Sequence, residues 1–126
     1  MRVLILFIAL LLIAPTSFAE SNGSSLLKKC NAALQFMDGE PSAEFEVVGD
    51  ASFCLGLMQG IRATSQIHRI EFGEKTLFCE PETGIDNGQA ARIVVKFLKE
   101  HPEMLHHNDS VLAIAALVKA YPCGGR

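Results

Sequence analysis

The chain opens with an apolar run that ends in a small-residue site, and this start constrains everything that follows. The run covers residues 3–14, and Ser17 and Ala19 stand where a signal peptidase requires small residues. We therefore expect residues 1–19 to be a cleaved secretory signal peptide, which is too short to span a bilayer. The mature chain would begin at Glu20, lie in the periplasm and keep no membrane attachment. Cysteines in that oxidising compartment form disulfides.

Four cysteines follow the apolar run, and they allow three pairings. Cys30 and Cys54 fall on two consecutive predicted helices, near one end of an up-and-down bundle. Cys79 precedes the next predicted helix and Cys123 follows the last one, near the other end. We therefore expect the disulfides Cys30–Cys54 and Cys79–Cys123, each stabilising the fold by about 2–4 kcal/mol. The absence of a Cys-x-x-Cys sequence argues against a thioredoxin-like redox pair and a zinc knuckle.

Apolar residues recur at helical spacing, which predicts an all-α fold for residues 20–126. We expect one domain, a small four- to five-helix bundle stabilised by two disulfides. The first predicted helix is capped by Ser24 or Ser25 and runs through Met37, and the second covers residues 51–70 and is capped by Asp50. The third helix begins at the Asp86–Gln89 capping box and ends at His101-Pro102. The fourth helix covers residues 110–121. Residues 21–24 are predicted to be a flexible leader, and residues 45–48 resemble a short strand.

Two features of the predicted helices suggest close packing against a neighbour. The fourth helix is apolar nearly all round, which is typical of a helix at the centre of a bundle or on a dimer interface. Gly56 and Gly60 lie one turn apart on the second helix, where the lack of side chains gives a smooth face. Such a face allows a neighbouring backbone to approach closely.

The sequence offers little support for catalysis or for nucleic-acid binding. The formal net charge is −3, without the clustered Lys and Arg that phosphate contacts need. His101, His106, His107 and Asp109 crowd one loop, but their spacing matches no common metal site. We expect a solvated, helix-capping loop there, with no metal and no cofactor. No serine has the setting of a nucleophile elbow, so we predict that the protein is not an enzyme.

Four segments from residue 53 onward resemble the Rap/Tai family of immunity proteins. Their order and spacing match the family's, and the segments are Phe53–Gly60, Phe78–Pro81 with Gly84–Gln89, Val94–His106 and Ala116–Cys123. The chain departs from the family pattern in three places. Leu57 stands where an aromatic residue is common, one extra residue separates Pro81 from Gly84, and Asp86 replaces a threonine cap.

The resemblance implies a small periplasmic helical protein that neutralises a peptidoglycan amidase delivered by type VI secretion. It also implies that the amidase is of the cysteine–histidine type and that the immunity protein often forms a homodimer. An inhibitor of this kind would insert a protruding loop into the enzyme's cleft. We expect the loop over residues 103–109 to do this, with the contact residues Glu103, Met104, His106, His107 and Asn108. The loop over residues 71–82 is the second candidate, through Glu74, Glu80 and Glu82.

An alternative function is a periplasmic stress or chaperone-like helical protein that binds unfolded clients. Small acidic bundles tied by disulfides can bind clients when acid exposes their apolar surface. The two functions differ in a simple assay, because only a chaperone should gain hydrophobic-dye binding below about pH 4, where carboxylates become protonated.

Overall fold

The structure, a computed structural model, describes residues 21–40 and 44–124, so the predicted signal peptide lies outside the described residues. Within that part the chain forms four α-helices and no strand longer than an isolated bridge: α1 (Gly23–Met37), α2 (Phe45–Phe72), α3 (Asn87–Glu100) and α4 (Asp109–Ala120). Two short 3-10 turns, Gly73–Lys75 and Pro102–Met104, follow α2 and α3. The predicted all-α bundle is confirmed. None of the described helices combines the length and the apolar character that crossing a membrane requires.

The core lies between α3 and the faces of the other three helices. α3 places seven of its residues in the interior, more than any other helix, while α1 packs against α2 and α3, and α4 packs mainly against α3. The largest fully buried apolar side chains include Leu26, Met58, Phe78, Val94, Leu98, Leu112 and Leu117. Burying a side chain of this size stabilises the fold by about 1.5–3 kcal/mol.

Both predicted disulfides are present. Cys30–Cys54 joins α1 to α2, and both of these residues are completely buried. Cys79–Cys123 joins the segment before α3 to the segment after α4, and both of these residues are half-buried. The first disulfide is therefore part of the core, whereas the second ties two surface segments together.

The prediction of a flexible leader at residues 21–24 is wrong, as is the serine cap. Asn22 caps α1, because its Oδ1 accepts a hydrogen bond from the Ser25 backbone N–H at 2.9 Å. Gly23 is the first residue of the helix and is buried. The segment is ordered because it contacts a distant loop, which a reading of neighbouring residues could not reveal.

The predicted start of the second helix is also wrong, since α2 begins at Phe45 and residues 45–48 are helical. Asp50 lies inside the helix and is not its cap. Lys28 of α1 pairs with Glu46 at 2.6 Å and with Asp50 at 3.3 Å, one helical turn apart, so the early turn of α2 is anchored on α1. The hydrogen bond that Lys28 donates to Glu46 raises the pKa of Lys28 and lowers the pKa of Glu46.

The boundaries of the last two helices follow the sequence closely. Asp86 caps α3 as predicted, accepting a hydrogen bond from the Gln89 N–H at 2.7 Å, and the helix ends before His101. The Gln89 side chain donates to the Tyr121 hydroxyl at 3.0 Å. The apolar sequence of α4 predicts a helix either at the centre of the bundle or on a dimer interface. The structure does not place α4 at the centre, because it lies at the edge of the bundle and Val111 on its outer face is 60% exposed.

Candidate partner-binding surface

The segment between α3 and α4, here called the α3–α4 loop (residues 101–108), is a compact chain of tight turns. His101 ends α3, since the proline that follows it disfavours helical geometry. The Met104 N–H donates to the His101 carbonyl at 3.0 Å, and the His107 N–H donates to the Met104 carbonyl at 2.9 Å. These internal bonds give the loop a defined backbone.

The start of α1 is hydrogen-bonded to the α3–α4 loop. The Gly23 N–H donates to the His107 carbonyl at 3.0 Å, and the Ser24 N–H donates to the Leu105 carbonyl at 3.2 Å. Asn22 and Asn108, the caps of α1 and α4, face each other in an antiparallel bridge. The second half of the loop is therefore held against the start of α1 by backbone contacts at Leu105, His107 and Asn108.

The predicted contact residues of this loop have different surroundings. Glu103, His106, His107 and Asn108 are exposed, whereas Met104 is half-buried and packs against the core. The two histidine rings are in contact, with their centroids 4.1 Å apart. Asn108 Oδ1 caps α4 by accepting from the Ser110 and Val111 N–H groups. The loop thus presents a carboxylate and two imidazoles to solvent on a fixed backbone.

The second candidate loop is held by an ion pair that is nearly buried. Arg62 of α2 donates to Glu80 through Nε at 2.8 Å and through Nη2 at 3.4 Å, and the two side chains are 12% and 8% exposed. The Glu80 carboxylate is therefore already occupied within the molecule. Glu82 is exposed and borders a cleft with Arg69, while the Glu74 side chain is not among those that the structure describes.

The Arg62 side chain also connects this loop to the start of α3. Its Nη1 donates to Asn87 Oδ1 at 2.7 Å, and Asn87 Nδ2 donates to Gln59 Oε1 at 2.8 Å. Sequence reasoning did not find this network. The helical spacing of Gln59, Arg62 and Gln66 shows that they share one face of α2, but it does not show what that face contacts.

A shallow groove of about 320 Å³ runs between α2 and α4. Its lining is small or apolar, and none of these described residues carries a charge: Gly56, Leu57, Gly60, Ile61, Thr64, Leu77, Ser110 and Ile114. A Cβ atom added to Gly56 or Gly60 would meet no described atom within 4 Å. The glycine face predicted from the sequence is therefore open to solvent, and no other part of the described chain packs on it.

The histidines provide no metal-binding cluster within residues 21–40 and 44–124, where no group of three potential ligand residues comes together. His68 near the end of α2 packs against Phe72, with ring centroids 4.5 Å apart and the ring planes tilted by 41°. Its buried Nδ1 has no hydrogen-bond partner among the described residues.

These features define a small helical protein that is tied by two disulfides and carries exposed polar loops. The family model of the Rap1a immunity proteins matches residues 22–123, and the chain belongs to this family. The resemblance predicted from the sequence is thereby confirmed, and it indicates a protein that gives immunity against a secreted toxin. No curated protein and no solved structure matches the chain.

Proposed function

We propose that this protein is a periplasmic immunity protein that binds a peptidoglycan amidase delivered by type VI secretion and blocks its active site. The observation that carries the proposal is the α3–α4 loop, which exposes Glu103, His106 and His107 and whose second half is hydrogen-bonded to the start of α1. Membership of the Rap1a immunity proteins supplies the class of partner, a secreted toxin.

Inhibition would follow from the chemistry of the loop. The Glu103 carboxylate and the two imidazoles can form charge-assisted hydrogen bonds with a cysteine–histidine pair, and such bonds are stronger than neutral ones. A loop that is already ordered loses little conformational entropy on binding. A loop that occupies the cleft in this way would exclude the peptide substrate without any reaction.

Export to the periplasm is part of the same proposal. Both disulfides link distant segments of the bundle, and disulfides persist in oxidising compartments. The amidase's substrate, peptidoglycan, lies in that compartment, so an inhibitor would have to meet the toxin there.

A homodimer is the second component of the proposal. The open groove between α2 and α4 is free of charge among its described lining residues and includes Gly56 and Gly60. Small residues on a helix face let another helix approach closely, and a symmetric interface would bury the same groove on both copies. The exposed Val111 borders the groove residue Ser110 in sequence and would add apolar area to such an interface.

The direct test is inhibition of a neighbouring hydrolase. The full chain is produced with its own predicted signal peptide and purified from the periplasm. It is then mixed with the small Cys/His hydrolase encoded by the neighbouring gene. We expect a stable complex and loss of peptidoglycan cleavage. An unrelated amidase that is not encoded nearby serves as the control for specificity. Full cleavage activity at saturating immunity protein would reject the proposed function.

A further inference from the structure

The first residues of α1 touch the α3–α4 loop through backbone atoms, so their role is more than that of a helix start. The Gly23 and Ser24 N–H groups donate to the His107 and Leu105 carbonyls, and the Asp109 N–H donates to the Ser21 carbonyl at 3.3 Å. We call residues 21–24 the N-terminal clamp. The three bonds connect two segments that lie more than eighty residues apart in the sequence.

The physical reason for these bonds is the chemistry of a helix end. The first N–H groups of an α-helix have no partner within the helix and must find one elsewhere. In α1 the loop carbonyls satisfy Gly23 and Ser24, while Asn22 satisfies Ser25 with its side chain. The loop can therefore shift only if the N–H groups of the buried Gly23 and the exposed Ser24 lose their partners.

Close packing at Gly23 strengthens the contact. A Cβ atom there would lie 2.5 Å from Leu112 Cδ1 and 3.0 Å from both Cα and the carbonyl oxygen of Leu105. The Leu112 side chain could rotate away, but the Leu105 backbone could not move away without displacing the loop. Only glycine lets the loop lie directly against the start of α1.

We infer that Asn22 and Gly23 are positioning residues, which hold the α3–α4 loop in the conformation that its partner recognises. This inference rests on the proposed function, since it assigns the clamp to the same loop. A loop that samples several conformations binds more weakly, because only the competent fraction associates. The clamp raises that fraction without contacting the partner.

The test compares Gly23→Ala with Gly49→Ala, a matched control at an exposed glycine of α2 where a Cβ would meet no described atom within 4 Å. Hydrogen exchange is followed at the Ser24 and Asp109 amides and, as a core reference, at Val94 of α3. We expect Gly23→Ala to speed exchange at Ser24 and Asp109 by about tenfold, the effect of losing one or two backbone hydrogen bonds. Exchange at Val94 should stay unchanged, which a general loss of stability would not allow.

Partner binding is measured on the same variants with the neighbouring amidase. We expect Gly23→Ala to lower the association rate by about tenfold and Gly49→Ala to leave it unchanged. Where Gly23→Ala fails to fold, Ser24→Pro replaces it, since it removes the N–H that binds Leu105 and proline is tolerated in a first helical turn. Because this variant has no amide hydrogen at residue 24, its loop exchange is followed at Asp109 alone.

Two results would overturn the inference: a folded variant whose loop amides exchange as in the wild type, or faster loop exchange with unchanged amidase association. If the wild type binds no amidase, the proposed function fails. The exchange comparison still decides whether the clamp positions the loop.

Discussion

Arg62 and Glu80 illustrate how single residues determine the position of a surface loop. The pair is almost buried, and Arg62 also reaches Asn87 at the start of α3. A buried ion pair adds little net stability, because removing two charges from water costs nearly as much as their attraction returns. Removing one partner is costly, because the other charge stays buried without compensation.

We predict that Arg62→Ala lowers the free energy of unfolding by about 2–4 kcal/mol, because it leaves the Glu80 carboxylate nearly buried and unpaired. Urea denaturation at neutral pH measures the change. Arg69→Ala is the control on the same helix, where the exposed side chain predicts a change within about 0.5 kcal/mol. Equal losses in both variants would show that the ion pair does not hold the loop.

At the α3–α4 loop we predict that His106→Ala weakens binding to the proposed amidase partner by about tenfold or more, because the exposed imidazole would form a hydrogen bond in the proposed complex. The melting temperature should not change. Met104→Ala combined with His106→Ala should weaken binding further, with a stability loss from the half-buried methionine. Gln35→Ala, exposed near the other end of α1, is the control. Unchanged affinity for the double variant would exclude this loop as the inhibitory element.

At the scale of elements, the sequence predicts a helix well where its ends are marked by local chemistry. Asp86 and His101-Pro102 mark α3 correctly, because capping and proline sterics act between neighbouring residues. The predicted start of α2 is wrong, because Asp50 is a residue type typical of helix caps but lies inside this helix. The contacts from Lys28 that anchor the earlier turn come from another helix and leave no local signal.

In the candidate site, too, the features marked by neighbouring residues were predictable, whereas those set by distant contacts were not. The sequence identified the exposed residues of the α3–α4 loop, because a proline-terminated helix followed by polar residues predicts a surface loop. It did not identify Gly23 or Arg62, whose roles depend on partners distant in the chain. The disulfide pairing is predicted correctly, although Cys30 and Cys54 lie inside α1 and α2 and not at their ends. Cys79 and Cys123 lie outside the helices, one before α3 and one after α4, as the sequence indicates.

The two disulfides should differ in their resistance to reduction. We predict that Cys79–Cys123 is reduced before Cys30–Cys54. Cys79 and Cys123 are half-buried, whereas Cys30 and Cys54 are completely buried. Timed reduction followed by alkylation and mass spectrometry identifies which cysteines are labelled first. Labelling of Cys30 and Cys54 at the earliest times would contradict the prediction and would indicate that α1 opens readily.

At the scale of the whole molecule, the apolar surface is distributed unevenly. The groove between α2 and α4 is open and free of charge among its described residues, while charged pairs such as Lys28–Glu46 and Asp38–Arg92 link the helices on other faces. This groove is the surface that we propose for the homodimer interface.

We predict that Gly60→Glu abolishes the proposed homodimer, because it places a charge at the centre of the groove. Gly49→Glu is the matched control, an exposed glycine on the same helix that lies outside the groove lining. Both changes replace a helical glycine with a better helix former, so neither should reduce stability. Sedimentation of the wild type and both variants measures the oligomeric state. A monomeric wild type, or a dimeric Gly60→Glu variant, would reject this interface.

The way in which the α3–α4 loop is attached also bears on how recognition could diverge during evolution. The bonds that fix it to α1 involve the carbonyls of Leu105 and His107, not the side chains of Glu103, His106 or His107. Substitutions at those three positions can therefore alter the surface offered to a toxin while the backbone that carries it stays in place. A duplicated gene could acquire a new specificity through a few substitutions in this loop. The same three positions are where a new binding specificity could be engineered.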